Sequence, residues 1–180
     1  MQSVLRIVMP RRAVAAGVLA ALAAGLLVVS GGGPRPAQSR TAGLQSLPLT
    51  ARAPIAAALG AVDRAYLVHG RAASNPAQRL RVRFSSTAVT VASGAAHTSL
   101  SLEAYGRRGA LARVAAATPR ASVNRVTYAR GPLREWYANG PLGVEQGFDL
   151  AASPTAGSGP LTFAMRVVGD LTPRLVRGAI

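Results

Sequence analysis

The sequence predicts a mainly β protein: one antiparallel, β-sandwich-like domain with one short N-terminal helix, following a signal or anchor helix. Three observations predict it. Apolar residues recur at every second position in Leu80-Val82-Phe84, Val89-Val91, Leu100-Leu102-Ala104, Val126-Tyr128 and Leu161-Phe163-Met165-Val167, the period of half-buried strands. Turn residues separate these runs at Ser85-Ser86, Ser93-Gly94, Gly106 to Gly109 and Gly131-Pro132, spacings typical of a sandwich or barrel. The start of the chain reads differently. A basic Met1 to Arg12 precedes 18 apolar or small residues, Ala13 to Ser30, and then GGGPRPAQSR.

That order is the layout of an export signal, so the chain divides into residues 1–39, a signal peptide or membrane anchor with a Gly/Pro linker, and a β-rich extracellular domain, 40–180. Small residues suited to cleavage stand at Val28-Val29-Ser30 and Ala37-Gln38-Ser39. The protein is expected to be secreted or at the cell surface, anchored if the run stays uncleaved; membrane contact is expected only through this segment.

Between the two regions, Pro54-Ile55-Ala56-Ala57-Ala58-Leu59-Gly60 predicts the short helix, with proline in its first turn and glycine as its stop. Ile55 and Leu59 fall on one face.

The rare residues concentrate at Asn124 to Leu150, which holds the only Trp, two of the four Tyr and three of the six acidic residues. Leu133 to Ala138 and Val144 to Leu150 predict a hairpin around Asn139-Gly140-Pro141-Leu142-Gly143. Asn-Gly favours left-handed turn conformations, and Pro141 cannot donate a ladder hydrogen bond, so a loop of about five residues is expected. Ala138 then opposes Val144. This register puts Trp136, Val144, Phe148 and Leu150 on the core face and Glu135, Tyr137, Glu145 and Gly147 on the other.

Composition removes several chemistries. There is no Cys, hence no disulfide, thiolate, Cys-based zinc site or acylated lipoprotein anchor. His69 and His97 are isolated, as are Asp63, Asp149 and Asp170, which leaves no pattern for a metal site, a triad or a calcium loop. No phosphate-binding glycine loop or nucleophile elbow occurs. No cofactor and no catalytic residue is therefore expected. The alternative is a carbohydrate-active enzyme using Glu135 and Glu145 as a carboxylate pair on one hairpin face.

Every basic residue is Arg, 21 in all, and the 17 from Arg40 onward face only six carboxylates. Such a balance attracts polyanions. Arg79, Arg81 and Arg83 alternate with Leu80, Val82 and Phe84; three guanidinium groups about 7 Å apart on one strand face can hold an anionic polymer. A strand edge guarded by charge is the competing explanation. No aromatic-arginine platform accompanies them, so no specific nucleic-acid partner is expected.

The run NRVTYARGPLREWYANGPLGVEQGF, and above all E-W-Y-x-N-G-P-L-G-x-E-Q-G-F at Glu135 to Phe148, resembles the N-terminal extracellular domain of bacterial secreted FG-GAP repeat proteins, the integrin-α-like β-propeller type. The Leu-Pro and Pro-Ile-Ala-Ala-Ala-Leu-Gly pieces upstream and Gly-Pro-Leu-Thr at 159–162 are similar too, so the likeness spans about residues 44–175. It implies a non-catalytic exported module whose partners are neighbouring repeat domains or an anionic cell-wall polymer. Trp136, Asn139, Gly140, Pro141, Gly143 and Phe148 are its structural hairpin residues. The F-G and G-A-P signatures and calcium-loop aspartates of the propeller are not present. The resemblance therefore implies a truncated or stand-alone leading domain, without calcium binding or adhesion.

Overall fold

The computed structural model describes residues 43–170, together with the backbone of Gln2–Met9 (β1) and Val18–Ala20 (β2). The helix expected across Ala13 to Ser30, and its cleavage sites, fall largely outside the described residues. Among those described, no helix is long and apolar enough to cross a membrane.

The domain is mainly β and antiparallel. After the helix α1 (Leu49–Val62) and a 3-10 turn at Arg64–Tyr66 come β3 (Val68–His69), β4 (Ala72–Asn75), β5 (Leu80–Phe84), β6 (Val89–Ser93), β7 (Ala96–Arg108) and β8 (Ala110–Arg113). These are followed by β9 (Arg120–Ser122), β10 (Arg125–Arg130), β11 (Leu133–Gly140), β12 (Gly143–Leu150) and β13 (Ser158–Gly169). One sheet runs β1-β13-β7-β6-β5-β4-β3, with β8 paired to the far half of β7; the other runs β2-β12-β11-β10-β9.

The sheets meet across two apolar clusters. One joins Leu100 and Leu102 of β7 and Phe163 and Met165 of β13 to Leu133 and Phe148 of the second sheet. The other joins Val82, Phe84 and Val89 to Val126, Tyr128 and Tyr137. Phe148 stacks on Phe163 with centroids 4.2 Å apart, and Phe84 meets Tyr137 edge-on at 5.6 Å, so aromatic contacts cross the interface at two points. The alternation expected for β5, β10 and β13 holds: Val82, Phe84, Val126, Tyr128, Leu161, Phe163, Met165 and Val167 are all buried.

The hairpin differs from its expected register. Asn139 opposes Val144 and Gly140 opposes Gly143, leaving a two-residue corner of Pro141 and Leu142. At a corner Pro141 owes the ladder no hydrogen bond, and its fixed φ suits the bend; the missing donor that argued for a longer loop is thus accommodated in a short one. The slip of one residue turns β11 over. Leu133, Glu135 and Tyr137 face the core beside Gln146, Phe148 and Leu150, whereas Trp136 lies outside with Glu145, Gly147 and Asp149.

The helix also differs. It begins one turn before Pro54 and runs through Gly60. Ile55 and Leu59 do share a face, together with Val62, but that face is exposed, at 38%, 40% and 83%. The buried face is small: Ala56 and Gly60 lie against the end of β11. Gly60 does not stop the helix because its role is close approach. A Cβ there would overlap the Asn139 carbonyl oxygen, and one at Gly140 would overlap the Ala56 carbonyl oxygen.

Candidate functional site

Inside the sandwich, Glu135 is held from three sides. Arg130 Nε donates to its Oε2 at 3.0 Å, while the Tyr137 hydroxyl at 2.7 Å and Gln146 Nε2 at 3.0 Å donate to Oε1. Gln146 Nε2 also reaches the Tyr137 oxygen at 2.8 Å. Arg130 donates in addition to the Ala115 carbonyl and lies over the Tyr128 ring, 5.0 Å from its centroid. The placement follows from the ladder: Tyr137 sits two residues from Glu135 on one face, and Gln146 opposes Tyr137. Burial, then the Glu135 charge and hydrogen bond, raise the Tyr137 phenol well above its ordinary value; Tyr128 adds to this and Arg130 opposes it. Tyr128 is raised by burial first and Glu135 second. Both phenols therefore stay neutral beside the carboxylate; Tyr137 donates to it, while the buried Tyr128 hydroxyl makes no hydrogen bond.

Glu145 points away from this network, since Glu135 opposes Phe148 while Glu145 opposes Ala138 on the outer face. The expected shared face for the two glutamates is thereby corrected, for the same one-residue reason. Burial raises the Glu145 carboxyl above its ordinary value, Arg125 partly opposing, and its Oε1 is buried without a hydrogen bond. A folded pKa raised in this way withdraws stability as pH climbs through the carboxylate range. Glu145→Gln is thus expected to raise the melting temperature at pH 7, with the gain fading as pH falls below the ordinary carboxylate range, at about pH 3, where the carboxyl is neutral folded and unfolded; scanning calorimetry at the two pH values checks it.

Also on the outer face, Trp136 lies over Gly147, where any Cβ would strike its ring. Its indole N–H donates to Asp149 Oδ1 at 3.2 Å, Arg134 pairs with Oδ2 at 2.9 Å, and the Arg125 guanidinium stacks 4.3 Å above the ring. Trp136 remains a packing residue, only 6% exposed, but it covers the outside of the sheet rather than filling the core; Phe148 fills the core as expected.

Asn139 is the third centre. Its Nδ2 donates to the carbonyls of Tyr66 and Ser74, and its Oδ1 accepts from Asn75 Nδ2 at 2.8 Å. Asn75 also donates to Gly140 O, and Asn124 Nδ2 bridges Ala57 O and Asn139 O. The Asn-Gly pair read as a turn is therefore the seam joining helix, β4 and hairpin. Neither Asn139 nor Gly140 takes the left-handed conformation expected of the pair, because both continue strand β11; in this hairpin the positive φ belongs to Gly143, at 127°.

Of the arginine stripe, Arg81 and Arg83 stand exposed on β5 as expected. Arg79 does not join them: it precedes the strand with φ 54°, and so leaves the two-residue period. Nor is β5 an edge; it lies between β4 and β6. Its outward cross-strand neighbours are small: Arg83 sits beside Ala72 and Thr90, and Arg81 beside Ser74 and Ala92. A shallow cleft opens next to them, lined by Arg64, Leu67, His69, Ala72 and Ser74 among others.

Arg130, Tyr137, Gln146, Asn75 and Asn124 carry much of this geometry and were not singled out by sequence. Correct register of the hairpin would have brought Gln146 to Glu135; Tyr137 lies two residues along the same strand face, and Arg130 comes from β10. The local signal at Asn75 is a turn, its Oδ1 accepting from Gln78 N, whereas the Nδ2 partners that matter to the seam lie 64 and 65 residues away. Among the described residues no group of three or more His, Asp or Glu is placed to hold a metal. Scans against protein-family profiles, curated proteins and solved structures each find no match.

Proposed function

We propose that the chain is a non-catalytic exported interaction module, of the kind its Glu135 to Phe148 run resembles: the leading domain of FG-GAP repeat surface proteins. It acts outside the cell by binding, through packing against neighbouring repeat domains or an anionic wall polymer. One observation carries the non-catalytic part. Glu135 and Glu145, the pair that could divide acid and base roles, are on opposite faces of the hairpin ladder, Glu135 sealed in the core by three donors. A glycosidase needs both to reach one sugar, about 5 to 9 Å apart across an open site. Asp149, the hairpin's third carboxylate, shares the outer face with Glu145 but is held by Arg134 and the Trp136 indole. The resemblance and the apolar N-terminal run support the extracellular setting.

The test is turnover. The full chain, incubated with anionic wall polymer and with a panel of neutral polysaccharides, is expected to release no reducing ends above the buffer control. Release that disappears in Glu145→Gln, a variant that retains the fold, overturns the reading.

A further inference from the structure

We propose that the outward trough floored by Ala72 and Ser74 binds a linear polymer of phosphate groups that carries no bases, gripped between Arg64 and His69 on one side and Arg81 and Arg83 on the other. The inference rests on the reading of the chain as an interaction module and names that module's partner class.

Strand register builds the trough. His69 pairs with Ala72, and Ala72 with Arg83; two residues along, Ser74 pairs with Arg81. Cross-strand pairs share a sheet face, so His69, Ala72 and Arg83 form one outward row, with Ser74 and Arg81 in the next. From β3 to β5 is two strand spacings, about 10 Å, with only a methyl and a hydroxymethyl group on the intervening β4. The Arg64 and Leu67 side chains extend the β3 wall. The result is a channel about one extended chain wide with cationic sides.

Charge complementarity selects an anion. Among the described residues the Arg83 side chain has no hydrogen bond or ion pair, and the Arg81 guanidinium makes one, to the Gly94 carbonyl at 3.3 Å. The neighbouring carboxylates are committed elsewhere. Asp63 caps the 3-10 turn through Ala65 N, Asp170 pairs with His97 at the far edge, and Glu103 pairs with Arg166. Because β5 is central, its arginines do not guard a free strand edge. Guanidinium forks two residues apart suit successive phosphates, which they can bind in bidentate fashion.

The same face argues against nucleic acid. Binding to single strands draws on aromatic platforms for the bases. Every aromatic residue of the chain is buried or half-buried, and the trough contains none. A phosphate chain without bases asks for charge and width alone.

The experiment uses the full chain and end-labelled long-chain inorganic polyphosphate, followed by fluorescence anisotropy across a salt series, with oligo(dT) and neutral dextran in parallel. The wild type is expected to bind polyphosphate and not dextran. Arg81→Gln with Arg83→Gln should weaken binding about ten-fold and flatten the log–log salt dependence by about one to two. Ser74→Trp, which fills the trough without changing charge, should weaken it comparably. Arg108→Gln, Arg113→Gln and Arg134→Gln together remove more charge elsewhere and should cost about two-fold or less. Melting temperatures of all variants show that each is folded. Equal losses in the distant triple variant, or no loss in the trough variants, overturn the proposal as unspecific attraction. Tighter binding of oligo(dT) through the same residues overturns it in favour of nucleic acid. Either result leaves the module reading standing, since that reading falls on turnover alone.

Discussion

Replacing Glu135 with Leu is expected to destabilise the domain by about 3 to 5 kcal/mol in urea unfolding, because it leaves a buried guanidinium without its counter-ion. The Arg130 and Glu135 side chains are 6% and 3% exposed, so solvent screens little of the loss. The Tyr137 hydroxyl and Gln146 amide lose their shared acceptor at the same time, and an unsatisfied buried donor adds its own desolvation cost. The companion measurement is the double variant Glu135→Leu, Arg130→Leu. Removing both charges removes the stranded cation, so the double variant should be more stable than Glu135→Leu alone. A single-variant loss below about 1 kcal/mol would show that water reaches the pair and that the network contributes little.

The second large effect comes from one added methyl group. Alanine favours a helix interior over glycine by about 1 kcal/mol, so on propensity alone Gly60→Ala should stabilise α1. The opposite is expected, a loss of about 2 to 3 kcal/mol. The new Cβ would overlap the Asn139 carbonyl oxygen and come within 2.9 Å of Gly140 Cα; backbone cannot swing aside as a flexible side chain can. The helix must lift from β11, and the Asn124 bridge between Ala57 and Asn139 stretches with it. Urea midpoints read the loss. Native-state hydrogen exchange should localise it to α1 and the hairpin end, and a stabilised variant would refute the close approach.

These two sites show what could be read in the sequence. Strand alternation was legible because each side chain's face depends only on its neighbours, and Val82, Phe84, Phe163 and Met165 obey it. Register was not. It turned on whether Pro141 lengthened the loop or formed the corner, two outcomes that local rules allow equally. That one residue decided whether Glu135 faced solvent beside Glu145 or the core beside Gln146. The asparagine seam was hidden for another reason. Asn139 has the composition of a turn residue, and its partners at Tyr66 and Ser74 lie 73 and 65 positions away. The arginine stripe was two-thirds legible: Arg81 and Arg83 follow the strand period, while Arg79 leaves it through a left-handed backbone that L-residues seldom adopt.

The brevity of β3 and β9 bears on how the molecule behaves among copies of itself. Each closes one side of its sheet, and they are only two and three residues long. An open edge invites another chain to continue the ladder, and the invitation grows with the length of unpaired backbone. On β3 the Val68 N–H is already taken by the Val123 carbonyl at 2.8 Å, so a newcomer finds at most the three residues of β9, beside exposed Arg120. A basic domain without disulfides has no covalent brake on runaway strand addition, and on these sides its short borders take that part.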